Sequence, residues 1–177
     1  MQQTYRHVRN DTSFGAANPR SHAEHILNFA LVYQDMPTRQ WTGRISERMS
    51  EMAGGDAIRY TEWKIGDLMQ AERFADGVAA LATADAIVIS LHAAERLPAV
   101  FYLWVNLWLL NRTGRPGALI ALVVQPDGPN SGSVETRRYF HAVAAQGAME
   151  LFIQEGDASG TPMGDLEEDL LQWTQAA

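Results

Sequence analysis

The chain has 177 residues, 46% of them hydrophobic, and a net charge of −7. That is enough to bury one real core, and the acidic balance speaks against a nucleic-acid partner, since no basic surplus is left for a phosphate backbone. With no cysteine, disulfides, thiolate metal sites and cysteine nucleophiles are excluded as well.

Residues 1–24 mix Gly, Asn, Pro, Arg and His without periodicity and read as an N-terminal arm before one domain over 25–177. The arm has no apolar core of signal-peptide type. The longest apolar run, residues 97–110, is too short for a bilayer and contains Asn106, so a cytoplasmic protein is expected. The run at 26–33 is continuous, as a strand buried on both faces requires. A helix over about 43–54 follows, stopped by Gly54 and Gly55, and then a more exposed strand, "DAIRYTEW". Asp67 and Gln70 have capping-box spacing and open a helix to about Thr83. Residues 84–91 form the clearest buried strand, followed by a helix from Pro98 to about Arg112 and a strand over 117–124. A loop over 125–133, a helix over about 134–147, the short strand "ELFIQ" and a last helix capped by Asp165 and Glu168 complete the chain.

Five strands alternating with five helices predict an α/β three-layer sandwich. Its parallel sheet takes the order 2-1-3-4-5, with helices on both faces. In that order the ligand crevice lies outside the C-terminal ends of strands one, three and four. The loops at 34–42, 91–97 and 125–133 therefore carry the functional question.

Those loops and their strands resemble the flavodoxin-like superfamily, within it the NAD(P)H-dependent FMN reductase and quinone reductase branch. "VYQDMPTRQWTGRISERM" aligns without a gap to that branch's "Y-G-S-P-R-x-x-G-N-T" strand end and helix start. "ADAIVISLHAAERLPAVFYLW" keeps its third strand and the Pro98-Ala99 helix start, and "NRTGRPGALIALV" is similar to its entry to strand four. The resemblance implies a flavodoxin-like fold, FMN as cofactor and NAD(P)H as co-substrate. It implies that Thr38, Arg39, Gln40 and Thr42 hold the FMN phosphate, His92 and Ala93 face the isoalloxazine, and Asp127 and Gly128 line its far side, while Trp41 either stacks on the flavin or covers an emptied crevice.

The residues also depart from that pattern. Gln34 and Asp35 stand where Gly and Ser are expected, and an ionised Asp repels a phosphate dianion. Thr38 or Thr42 serves equally well as an N-cap, Asp35 as a turn residue and His92 as a lone surface histidine. Two functions stay open: an FMN-dependent oxidoreductase with a weakened flavin site and no assigned catalytic side chain, or a non-catalytic module serving oligomerisation or partner binding, with Asp35 and Trp41 closing the crevice. A phospho-acceptor receiver domain is set aside, because strand three ends without an Asp. A metal site is not expected, the pair His22/His25 lacking a third ligand.

The helix at 98–112 is apolar around most of its circumference, far wider than the ~100° stripe that covering a sheet requires. That surplus predicts a homodimer through this helix, with Trp104 or Trp108 in the interface. Flavin reductases of the branch associate through helices in the same place, as the resemblance implies.

Overall fold

The computed structural model describes residues 26–53, 57–124, 131–156 and 164–176. The N-terminal arm and the loop carrying Asp127 and Gly128 lie outside the described residues. The strands are β1 (Leu27–Tyr33), β2 (Ile58–Lys64), β3 (Ala86–Leu91), β4 (Gly117–Val124) and β5 (Met149–Gly156). They pair in parallel throughout, in the order β2-β1-β3-β4-β5. The helices are α1 (Met36–Ala53), α2 (Ala71–Thr83), α3 (Ala99–Asn111), α4 (Ser131–Gln146) and α5 (Gly164–Ala176).

β3 and β4 are buried at every residue, which is why both read as unbroken apolar runs. Their side chains alternate between two cores. Ile87, Ile89, Leu119 and Ala121 point under α2, α3 and α4, whereas Val88, Ile120 and Leu122 point under α1 and α5. β1 runs to β2 in one direction and β3 to β4 in the other. Right-handed crossovers then put α1 and α3 on opposite faces, and the connections diverge at the C-terminal ends of β1 and β3, where a sheet of this order has its crevice.

Several helix starts differ from the sequence-based expectation, among them that of α4, which begins at Ser131 and not near residue 134. α1 begins at Met36, not near residue 43, so the expected phosphate loop is mostly helix. Ala71 opens α2; Asp67 lies instead in a 3₁₀ turn, Ile65–Met69, and Gln70 caps α2 without a side-chain hydrogen bond. α5 begins at Gly164, and the side chain of its expected cap, Asp165, lies outside the described residues.

The far end of the sheet is held by a buried arginine. Arg112 donates from Nη1 to the carbonyls of Leu81 at 3.3 Å and Ala84 at 2.7 Å, and from Nη2 to that of Pro116 at 3.2 Å. It thereby ties the last turn of α2 to the loop entering β4 and supplies cationic charge where helix carbonyls end. Gly117 is required beside it, because a Cβ there would stand 2.1 Å from Arg112 Nη2. Gly114, at φ +65°, supplies the left-handed turn between α3 and β4.

α3 buries Phe101, Trp104, Val105, Trp108 and Leu109. Trp104 Nε1 donates to the Phe74 carbonyl at 3.2 Å, and the indole packs where Gly77 has no side chain. Trp104 and Trp108 both have zero exposure. This corrects the expectation that either tryptophan is available to an interface: the small residue on α2 lets the Trp104 ring turn inward, and Trp108 is buried in the same core. Among the described residues no helix is long and apolar enough to cross a membrane, and no three His, Asp or Glu residues group as metal ligands do.

Candidate functional site

The first wall of the crevice is the turn from β1 into α1. Asp35 is the N-cap, and its Oδ1 accepts the Thr38 N–H at 3.1 Å. In return the Thr38 hydroxyl accepts the N–H of Asp35 at 2.8 Å and that of Gln34 at 3.0 Å, while its own proton faces the Asp35 carbonyl at 2.9 Å. This is a reciprocal capping box with threonine in place of the usual glutamate. Pro37 sits in the first turn, where its missing N–H costs little. Arg39 N–H then closes on the Asp35 carbonyl at 2.9 Å, and the helix is under way.

The second wall is the turn after β3, and it is tied to the first. His92 N–H donates to Gln34 Oε1 at 3.0 Å, and His92 Nε2 lies 2.7 Å from Asp35 Oδ2. Burial pushes the Asp35 pKa up, but hydrogen bonds from His92 and Thr38 outweigh it, and the net shift is downward. An ionised carboxylate only accepts, so His92 Nε2 carries the proton that faces it. The expectation of a lone His92 is thereby corrected: its partner lies 57 residues back in the chain. The same turn is anchored on its other side. Ala94 N–H donates to Thr136 Oγ1 at 3.0 Å, Thr136 Oγ1 donates to Glu95 Oε2 at 3.0 Å, and the Tyr102 hydroxyl donates to the Ala94 carbonyl.

The residues expected around a phosphate part company. Thr38 is at the turn but fully buried, its hydroxyl engaged. Arg39 reaches outward to Glu62, Nη2 to Oε2 at 2.9 Å, and lies 5.7 Å from the centre of the Tyr33 ring. Gln40 is exposed and lines an open groove of about 530 Å³ between the outer side of α1 and β2. Trp41 is 1% exposed and fills the core between sheet and α1 with Ile45 and Met49. Thr42 is buried too and donates to the Arg39 carbonyl at 2.8 Å. Trp41 closes no crevice; it lies beneath one. His92 and Ala93 do stand half-buried at the crevice mouth, while Asp127 and Gly128, expected on its third wall, fall outside the described residues. Gln34, taken only as a misfit from the sequence, is the residue that bridges the two turns.

The donor set can be tested against a flavin phosphate. Such a group needs several vacant N–H donors at a helix N-terminus. Those of Gln34, Asp35, Thr38 and His92 are all taken by side chains of the turns themselves. Among the described residues these two turns therefore leave few free donors for a phosphate, and residues 125–130 lie outside them.

The strand order decides what the architecture is. No protein-family model matches the sequence, and no curated protein matches it. Solved structures do. An oxidoreductase from Corynebacterium diphtheriae superposes with a TM-score of 0.59 at 17% identity, over 83% of this chain and 91% of that one. A Streptococcus pneumonia flavodoxin gives 0.51 at 12% identity, over 84% and 95%. General stress protein 14 from Treponema denticola, solved in complex with FMN, gives 0.50 at 15% identity, over 85% and 98%. The fold is flavodoxin-like. At these identities the flavodoxin-like architecture is what the chain shares with them.

Proposed function

We propose that this flavodoxin-like protein works as a non-catalytic assembly module, a homodimer formed through α3. The observation that carries this reading is the outer side of that helix. None of its 13 residues is charged. With its inner side already filled by Phe101, Trp104 and Trp108, it still leaves Leu103 54% and Leu110 69% exposed. Leu107 and Val100 are half-buried along one edge of this row and Asn106 is exposed along the other. Met69, 76% exposed, adds to the apolar surface from the 3₁₀ turn that packs against α3.

A soluble domain seldom leaves such a stripe to water. A second copy fits it because the stripe is self-complementary: two uncharged leucine rows can meet about a two-fold axis without burying an unpaired charge. Light scattering after size exclusion tests the reading. The expected mass is twice the 19.6 kDa of the chain, with Leu103→Glu and Leu110→Glu monomeric. A monomeric wild type at micromolar concentration overturns it and points to residues 1–24 as the cover.

A second reading, an FMN-dependent oxidoreductase using NAD(P)H, is favoured by the neighbours whose own descriptions name oxidoreductase and FMN. An absorption spectrum with an FMN titration separates the two. Flavin would supply the redox chemistry of such an enzyme, and a coloured protein that binds FMN tightly favours it.

A further inference from the structure

We infer that Asp35 is a built-in occupant of the position where this fold would hold a ligand's phosphate, so that the wild-type chain discriminates against phosphate-bearing ligands at this crevice. The inference rests on the geometry of the first two turns and is independent of assembly through α3.

The N-terminus of α1 is an 18-residue helix's positive end. Its first turn offers few donors to an outside anion. Pro37 has none, Thr38 gives its N–H to Asp35 Oδ1 and Arg39 gives its N–H to the Asp35 carbonyl. Among the described residues the N–H of Met36 alone is left in that turn. The two N–H groups preceding the helix, on Gln34 and Asp35, converge on one point, and that of Gln34 also lies 3.2 Å from the Ser90 carbonyl. That point is filled by Thr38 Oγ1 at 3.0 and 2.8 Å. A negative charge is already in place at the helix end, and it is secured from the other side of the crevice by His92 at 2.7 Å.

An incoming phosphate would therefore have to displace Thr38 Oγ1, break the Asp35–His92 contact and tolerate the carboxylate. Repulsion between a carboxylate and an anion about 5 Å apart lowers affinity by well over tenfold at an effective dielectric near 20, and by about tenfold once partial exposure is allowed for. Asp35→Asn keeps an oxygen acceptor for the helix cap and removes only the charge; Asp35→Ser keeps a good N-cap with a shorter reach.

The test is a titration with inorganic phosphate, followed by amide ¹H–¹⁵N shifts of residues 34, 35, 38 and 92. The wild type should give no saturable response at those amides. Asp35→Asn and Asp35→Ser should each give one, with affinity at least about tenfold above any wild-type response. Two folded variants guard against one that fails to fold. His92→Gln serves as the control: it frees the carboxylate but leaves its charge, and should stay unresponsive. Saturable binding by the wild type overturns the inference, as does an unresponsive pair of Asp35 variants or a gain in His92→Gln equal to theirs.

Discussion

Replacing Gly117 by Ala tests whether Arg112 is the clamp of the sheet's lower end. A Cβ at this position would stand 2.1 Å from Arg112 Nη2 and 2.5 Å from the Asp85 carbonyl, both far inside contact distance. The carbonyl accepts the Ala118 N–H at 3.0 Å just before β3, so the entry to β4 must shift to relieve that approach, and the arginine cannot stay in place either. It is 2% exposed, so its departure strands three carbonyls, each bonded to a charged donor whose loss costs about 1.5–3 kcal/mol. These losses are not additive, and removing a glycine returns about 0.4–1 kcal/mol through the unfolded chain. The net expectation is a loss of about 3 kcal/mol, a fall in Tm of roughly 6–12 °C for a chain of this size. Urea denaturation of Gly117→Ala beside wild type measures it, provided the m-value is unchanged. A loss below about 1 kcal/mol would refute the reasoning, because the arginine would then have somewhere equivalent to go.

Gly77→Ala sets two effects against each other: about 1 kcal/mol of helix propensity gained, and about 1–3 kcal/mol lost by overpacking, since the new Cβ would lie 2.8 Å from Trp104 Nε1. Thermal unfolding should show a net loss; a stabilised variant would mean the indole has room. Because the folded pKa of Asp35 is depressed below 3.8, its charge stabilises the fold at neutral pH, and this contribution fades as pH falls through the folded value. The stability gap between wild type and Asp35→Asn should therefore be constant above about pH 5 and narrow below pH 4; a gap that is flat into strong acid contradicts the geometry of the turn.

The fold was legible because fully buried strands leave continuous apolar runs. Residues 86–91 and 117–124 carry no polar interruption except Ser90, and their spacing forces crossovers. The start of α1 was misplaced although its signals were present, an Asp-x-x-Thr box at 35–38 with Pro37 inside it. Alignment to a glycine-bearing loop hid them, and a helix that begins seven residues early turns Trp41 and Thr42 into core. The Asp35–His92 contact could not be read from one sequence, since it depends on where β1 and β3 end relative to each other. Tyr33 pairs with Ser90 in that register, which sets the following turns side by side. Nor does the sequence announce that Gly77 lets Trp104 turn inward, which leaves leucines and not tryptophans on the exposed side of α3.

The claim that copies of this chain meet through α3 is tested most directly by cross-linking, which the absence of cysteine makes clean. Asn106→Cys places one thiol on the exposed stripe, and Gln172→Cys places one on α5, on the opposite face of the sheet and also exposed. With a short bis-maleimide at micromolar protein, the thiol at 106 should give a covalent dimer rapidly and the thiol at 172 should not. Adding Leu110→Glu to the first variant should abolish its dimer. Equal and slow cross-linking at both positions would contradict assembly through this helix.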